Sequence, residues 1–148
     1  MRILIIGAGI AGPITALSLE AAGFTDIVLA ERTEELRGLG VGLNLLPHAV
    51  RELTELGVAD RIAALGVEPS TLSYFNRHGQ QIWSEPRGTA AGYQWPQLSV
   101  HRGNLQLELN KLVEERLGDF GNRAVVGFGD ERAEVVGEAG PFEASGRA

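Results

Sequence analysis

The chain has 148 residues, 13 Lys and Arg against 19 Asp and Glu for a net charge of −6, and no cysteine. The acidic balance argues against nucleic acid or an anionic membrane surface as partner, and the missing cysteine removes disulfides, thiolate metal ligands and thiol nucleophiles. No apolar run approaches the ~20 residues of a membrane span, and the apolar N-terminus lacks a small-residue cleavage site, so a cytoplasmic domain with a real core is expected.

Residues 3–6 (Ile-Leu-Ile-Ile) are a short, wholly apolar run, the pattern of a buried parallel strand. Gly7-Ala-Gly9-Ile-Ala-Gly12 follows. In such a turn Gly7 allows the sharp exit from the strand, Gly9 lets a pyrophosphate approach the backbone, and Gly12 lets the next helix pack close. That helix presents free N–H groups and the positive end of its dipole to the phosphates. Ile10, Ile14, Leu17 and Ala21 recur at helical spacing and are predicted to face the sheet. Pro13 is tolerated in the first turn, where its missing N–H has no intrahelical acceptor, and Gly23 ends the helix. A second apolar strand, Ile27 to Ala30, leads to Glu31, 19 positions after Gly12. An acid at that distance suits a pair of ribose hydroxyls. Strand, glycine turn, helix, strand and acid together predict a dinucleotide-binding βαβ unit. The chain is nevertheless short for a complete dinucleotide-dependent enzyme, which adds a substrate region.

Thr33 to Leu39 reads as a polar loop. Gly40-Val41-Gly42 then offers either close backbone approach to a flat ligand or an ordinary turn or bulge. Pro47 opens a helix whose apolar stripe is Val50, Leu53 and Leu56, stopped by Gly57; Val58 to Leu65 predicts a further helical turn. From Thr71 the period becomes two, and two runs flanking His78-Gly79 predict a β-hairpin over about 71–84. Leu98 to Val100 is a short extended segment. A strong helix is predicted from Gly103 to Leu117, with Leu105, Leu109, Leu112, Val113 and Leu117 on one face and Gly118 at its end. Ala124 to Phe128 is a candidate strand, after which periodicity fails.

With these residues in view, the chain resembles the class A flavoprotein monooxygenases, the para-hydroxybenzoate-hydroxylase-like FAD enzymes. The resemblance is carried by Gly7 to Gly12, Glu31-Arg32, Gly40-Val-Gly42 with Pro47, and His101-Arg102-Gly-Asn-Leu105 at the head of a helix. Leu39-Gly-Val-Gly-Leu-Asn, Ile82-Trp-Ser-Glu-Pro-Arg-Gly88 and Pro96-Gln-Leu-Ser-Val-His-Arg-Gly103 look closest to the phenazine-modifying members. The resemblance implies an α/β, Rossmann-like FAD-binding βαβ unit with an inserted antiparallel β-hairpin, incomplete relative to the family. Residues 1–128 would be the FAD-binding region and 129–148 an irregular tail, as a truncated or frameshifted chain would read.

It further implies that Gly7, Gly9 and Gly12, with the amides of Ile10 and Ala11, hold the FAD pyrophosphate. Glu31 would bind the adenosine ribose with Arg32 beside it, and Arg37 would lie near the ribose or pyrophosphate. Gly40, Val41 and Gly42 would run along the flavin, and Arg102 would reach the ribityl or phosphate region, where a fixed fork of donors on a permanent charge is apt. The bland alternative for Arg102 is a solvated residue at a helix start. The implied reaction is hydroxylation of an electron-rich aromatic ring with NAD(P)H as co-substrate and O2. The chemistry belongs to the cofactor, so no catalytic side chain is predicted. Two later family motifs, one ending in Asp-Gly and one rich in Gly and Asp, have no counterpart here. Alternatives are a nicotinamide-dependent dehydrogenase and a non-catalytic nucleotide-binding remnant. His48, His78 and His101 have no metal-ligand spacing, so no metal site is expected; Trp83 and Trp95 either flank an aromatic substrate or pack in the core.

Overall fold

In the computed structural model the first strand, β1 (Ile3–Ile6), runs parallel to β2 (Ile27–Ala30), with Ile3 opposite Ile27 and Ile6 opposite Ala30. The described residues are 1–31, 33, 36–117, 128–129 and 132–133. Helix α1 (Ala11–Ala21) links the two strands and packs on both, which is the predicted βαβ unit. The ladder is extended at both ends: the Ile3 N–H donates to the Asp26 carbonyl at 2.9 Å and the Gly7 N–H to the Ala30 carbonyl at 2.6 Å.

Two details depart from the expected pattern. The buried residues of α1 are Gly12, Pro13, Ala16 and Leu17, whereas Ile10 and Ile14 are half-buried and Ala21 is exposed. Small residues at 12 and 16 bring the helix axis close to the strands, and that rotates the contact face away from the larger isoleucines. Strand β1 is also less buried than β2. All four residues of β2 are buried, but Leu4 and Ile6 of β1 are 38% and 65% exposed. Among the described residues β1 pairs with β2 alone, so one edge and part of one face lie open.

The chain divides into two units, one made of Met1–Gly38 and the chain from Gln106 onward, the other of Leu39–Leu105. In the second unit β3 (Gly42–Leu45) leads into α2 (Pro47–Glu55), α3 (Ala59–Ala63) and β4 (Gly66–Val67). The hairpin β5 (Thr71–Phe75) and β6 (Gln81–Pro86) follows, then a 3-10 turn at Gly88–Ala91 and β7 (Leu98–His101). Strand β7 sits between β3 and β4, antiparallel to both. Neither β3 nor the two-residue β4 was legible in the sequence, because each is a strand only through its pairing with the distant β7. Pro47 does open α2, and Val50 and Leu53 are its buried stripe, while Leu56, predicted with them, caps the helix end half-buried.

The hairpin forms as predicted, but its loop spans residues 76–80 rather than a two-residue turn. The cause is Asn76, whose side-chain oxygen accepts the N–H of His78 at 2.9 Å and of Gln80 at 3.0 Å and so builds the turn locally. Tyr74 and Trp83 stack across the strands with ring centroids 6.1 Å apart, both half-exposed.

Helix α4 (Arg102–Leu117) buries Leu105, Leu109, Leu112 and Val113 as its spacing predicts, whereas Leu117, at its last position, is half-buried. The division between the units falls within it. A short antiparallel pair, β8 (Phe128–Gly129) with β9 (Arg132–Ala133), completes the described elements. The predicted stop at Gly118, the first four residues of the 124–128 strand and most of the 129–148 tail lie outside the described residues. Among those described, no helix is long and apolar enough to cross a membrane.

Candidate functional site

In the first unit the predicted site residues converge on the turn between β1 and α1. Gly7 leaves the strand with φ +102°, a left-handed conformation that favours glycine. Gly12 is demanded by packing: a Cβ there would lie 1.9 Å from the Gly7 carbonyl oxygen and 3.1 Å from Leu29 Cδ1. Gly9 differs from both. It is not in the left-handed region, and a Cβ built on it meets no atom within 4 Å. Among the described residues neither packing nor conformation requires a glycine there, and its missing side chain leaves the space above it open.

Helix α1 begins without a side-chain cap. Its N-cap residue is Ile10, which has no oxygen to offer, and no acidic residue stands in the first turn. The early N–H groups of a helix have no intrahelical acceptor, and among the described residues none accepts from Gly9, Ile10 or Ala11. Those donors are available to an anion, with the helix dipole reinforcing them.

Glu31 stands where the sequence places it, at the end of β2, half-buried. One carboxylate oxygen accepts the Ala8 N–H at 2.8 Å and the other accepts the N–H and hydroxyl of Thr33, both at 3.1 Å. The acid is therefore oriented by the turn that it serves. Arg37 lies exposed in the irregular segment beyond, and Arg32 lies outside the described residues.

Sequence reasoning missed two further residues of this unit. Gln106 Nε2 donates to the Ala8 carbonyl at 3.1 Å, and Asn110 Nδ2 donates to the same oxygen at 3.0 Å. They stand four apart on α4, hence on one face. The available signal was Asn110 itself, a polar residue beside Leu109 in a stripe otherwise made of Leu105, Leu109, Leu112 and Val113.

In the second unit the structure gathers Gly40, Val41, Gly42 and Arg102. The Arg102 N–H donates to the Val41 carbonyl at 3.0 Å, and Gly42 pairs with His101 at the end of β3 and β7. Gly40 has φ +142°, and a Cβ there would touch the Arg102 side chain at 3.1 Å. The aliphatic stem of Arg102 thus lies beneath the glycine run, and Val41 is 75% exposed. Arg102 is exposed, with no ion-pair partner among the described residues. The same unit holds a cavity of about 530 Å3 whose lining includes His48, Arg51, Arg87, Tyr93 and Trp95. Trp95 therefore lines a cavity, whereas Trp83 stacks on the hairpin. Arg87 pairs with Glu85, and its buried Nε has no hydrogen-bond partner among the described residues. Among those residues no group of three His, Cys, Asp or Glu side chains could hold a metal ion.

Comparison with known proteins agrees with this geometry. A family model described as FAD binding domain matches residues 1–135. A phenazine 1,6-dicarboxylic acid hydroxylase, PhzS, of Lysobacter antibioticus is 47% identical over 78% of this chain and 28% of its own length. An aurachin C monooxygenase/isomerase of Stigmatella aurantiaca is 32% identical over 76% of this chain and 30% of its own. Among solved structures, HpxO of Klebsiella pneumoniae complexed with FAD and uric acid aligns with a TM-score of 0.66 at 25% identity, covering 83% of this chain and 31% of that one. The tetrameric form of 2-methyl-3-hydroxypyridine-5-carboxylic acid oxygenase aligns at 0.69, also at 25% identity, covering 85% and 31%. The chain thus spans under a third of the length of these relatives.

Proposed function

We propose, from the premise that this chain belongs to the FAD-binding domain family, that it is the FAD-binding part of a flavin-dependent monooxygenase that hydroxylates a phenazine-like aromatic substrate with NAD(P)H and O2. The observation that carries the reading is Gly9. Packing demands Gly12 and backbone conformation favours glycine at Gly7, whereas at Gly9 neither does, and the open space over its backbone suits a ligand that approaches closely.

The residues present fit the cofactor. The N–H groups of Gly9, Ile10 and Ala11 donate to the pyrophosphate at the uncapped start of α1, where the helix dipole favours negative charge. Gly7 and Gly12 shape that turn. Glu31 accepts from the adenosine ribose hydroxyls, with Arg32 and Arg37 near the ribose or pyrophosphate. Gly40, Val41 and Gly42 offer bare backbone to the flat flavin, and the Arg102 guanidinium donates to its ribityl or phosphate oxygens. When bound, FAD supplies the redox chemistry that couples NAD(P)H and O2 to the aromatic ring; the protein binds, orients and excludes water. Residues 1–128 form the FAD-binding region with the hairpin at about 71–84 as its insert, and the family match runs on to residue 135, into the stretch read as a tail. The phenazine-like substrate rests on the relative from Lysobacter antibioticus, and a cytoplasmic location accords with NAD(P)H as reductant.

The test is a titration of the chain with FAD, followed by flavin absorbance and fluorescence, beside the Glu31→Ala, Arg102→Ala double variant. Wild-type binding that the double variant loses supports the assignment. A chain that ignores FAD but takes up NADH would instead be a nicotinamide-dependent protein. The activity itself is read as NADPH and O2 consumption on adding a phenazine carboxylate.

A further inference from the structure

Ala8 lies between Gly7 and Gly9, and two flanking glycines leave its peptide groups free to rotate unless something holds them. Both are held. The peptide joining Gly7 to Ala8 donates its N–H to Glu31 at 2.8 Å. The peptide joining Ala8 to Gly9 has its carbonyl oxygen bound twice, by Asn110 at 3.0 Å and Gln106 at 3.1 Å. A carbonyl oxygen has two lone pairs, and here both have donors.

The second clamp has a directional consequence. The peptide is trans and planar, so the Gly9 N–H points opposite to the Ala8 carbonyl. A carbonyl drawn toward α4 turns the Gly9 N–H away from α4. The orientation of the Asn110 amide is itself fixed. It is only 8% exposed, and its two N–H groups go to the Ala8 carbonyl and, at 2.8 Å, to the Gln106 carbonyl. The reversed amide would set an oxygen against two carbonyl oxygens.

We propose that Asn110, assisted by Gln106, is a positioning residue for nucleotide binding: it locks the peptide between Ala8 and Gly9 so that the Gly9 N–H is aimed at the pyrophosphate before the ligand arrives. The inference rests on the nucleotide reading of the turn given above. Its advantage is preorganisation, since a donor already fixed loses no backbone freedom on binding.

The experiment titrates ADP, which carries the pyrophosphate, into the full chain and into Asn110→Leu and Gln106→Met, following the amide NMR spectrum. In wild type the Gly9 amide signal moves strongly on ADP addition. In Asn110→Leu, ADP binds about ten-fold more weakly, equivalent to ~1.4 kcal/mol, and at saturation the Gly9 signal moves much less. A merely structural role would lower thermal stability and affinity while leaving the Gly9 shift at saturation intact, and that result overturns the proposal. Should Asn110→Leu fail to fold, Gln106→Met, which removes a half-buried donor, carries the same test with a smaller loss. A wild-type chain that binds no ADP overturns the nucleotide reading and this proposal with it. Wild-type binding matched by both variants overturns the positioning role alone.

Discussion

Replacing each of two glycines by alanine should separate packing from ligand binding within a single turn. At Gly12 the new Cβ would lie 1.9 Å from the Gly7 carbonyl oxygen, 1.1 Å short of the 3.0 Å that real Cβ contacts keep. That oxygen belongs to a backbone held by its own N–H bond to Ala30, so α1 must move instead. The move disturbs Ala16 and Leu17, both fully buried. Overpacking of this kind costs about 1–3 kcal/mol, and a rigid backbone partner places Gly12→Ala at the upper end. For a chain of this size that lowers the melting midpoint by about 5–10 °C. At Gly9 the same methyl meets no atom within 4 Å and the backbone is not left-handed, so Gly9→Ala should melt within about 1 kcal/mol of wild type, with a slight gain from the stiffer unfolded chain. Its cost appears in FAD binding. The methyl holds the pyrophosphate off the backbone donors, and losing one charge-assisted hydrogen bond weakens Kd by about 10- to 100-fold. Circular-dichroism melts and flavin-fluorescence titrations on the three proteins measure both quantities. Gly9→Ala binding FAD as wild type does would refute the reasoning, as would a neutral Gly12→Ala.

Glu31→Ala should weaken FAD binding and also loosen the turn, because it removes the acceptor of the Ala8 N–H. A loss of about 1–2 kcal/mol is expected in urea denaturation, and an unchanged midpoint would show that the bond contributes nothing. Arg102→Ala should leave stability within about 0.5 kcal/mol, since the side chain is exposed and keeps its Cβ under Gly40. Its FAD affinity should fall, and a variant that instead unfolds early would mark Arg102 as structural. Asn76→Ala removes three side-chain hydrogen bonds from the hairpin loop and should cost about 1–2 kcal/mol with FAD binding intact. Trp83→Ala should cost about 0.5–1.5 kcal/mol through the lost stack on Tyr74, and is scored by the same melts.

The nucleotide turn was legible because each of its parts leaves a residue-level mark: an apolar strand, three spaced glycines, an apolar helix and an acid at a set distance. The three glycines look alike in sequence, however, and only the surroundings of each Cβ show that packing claims Gly12, conformation Gly7 and open space Gly9. The hairpin was legible through its alternation, but its loop length was set by the Asn76 side chain, which no period reports. Strands β3 and β4 depend on β7, a pairing partner more than 30 residues away for β4 and more than 50 for β3, so local pattern carries no trace of them. Asn110 was hidden for the same reason, its partner Ala8 lying 102 positions away.

The bare start of α1 makes the fold and the ligand thermodynamically one system. Where another helix would keep a Ser, Thr, Asn or Asp worth about 1 kcal/mol, this one has Ile10 and leaves its first donors to whatever anion arrives. Anything that binds only the folded chain stabilises it by mass action, about 2.7 kcal/mol when present at one hundred times its Kd. A domain with Leu4 and Ile6 of β1 exposed would feel that increment strongly. The amount of folded protein would then track the supply of flavin nucleotide.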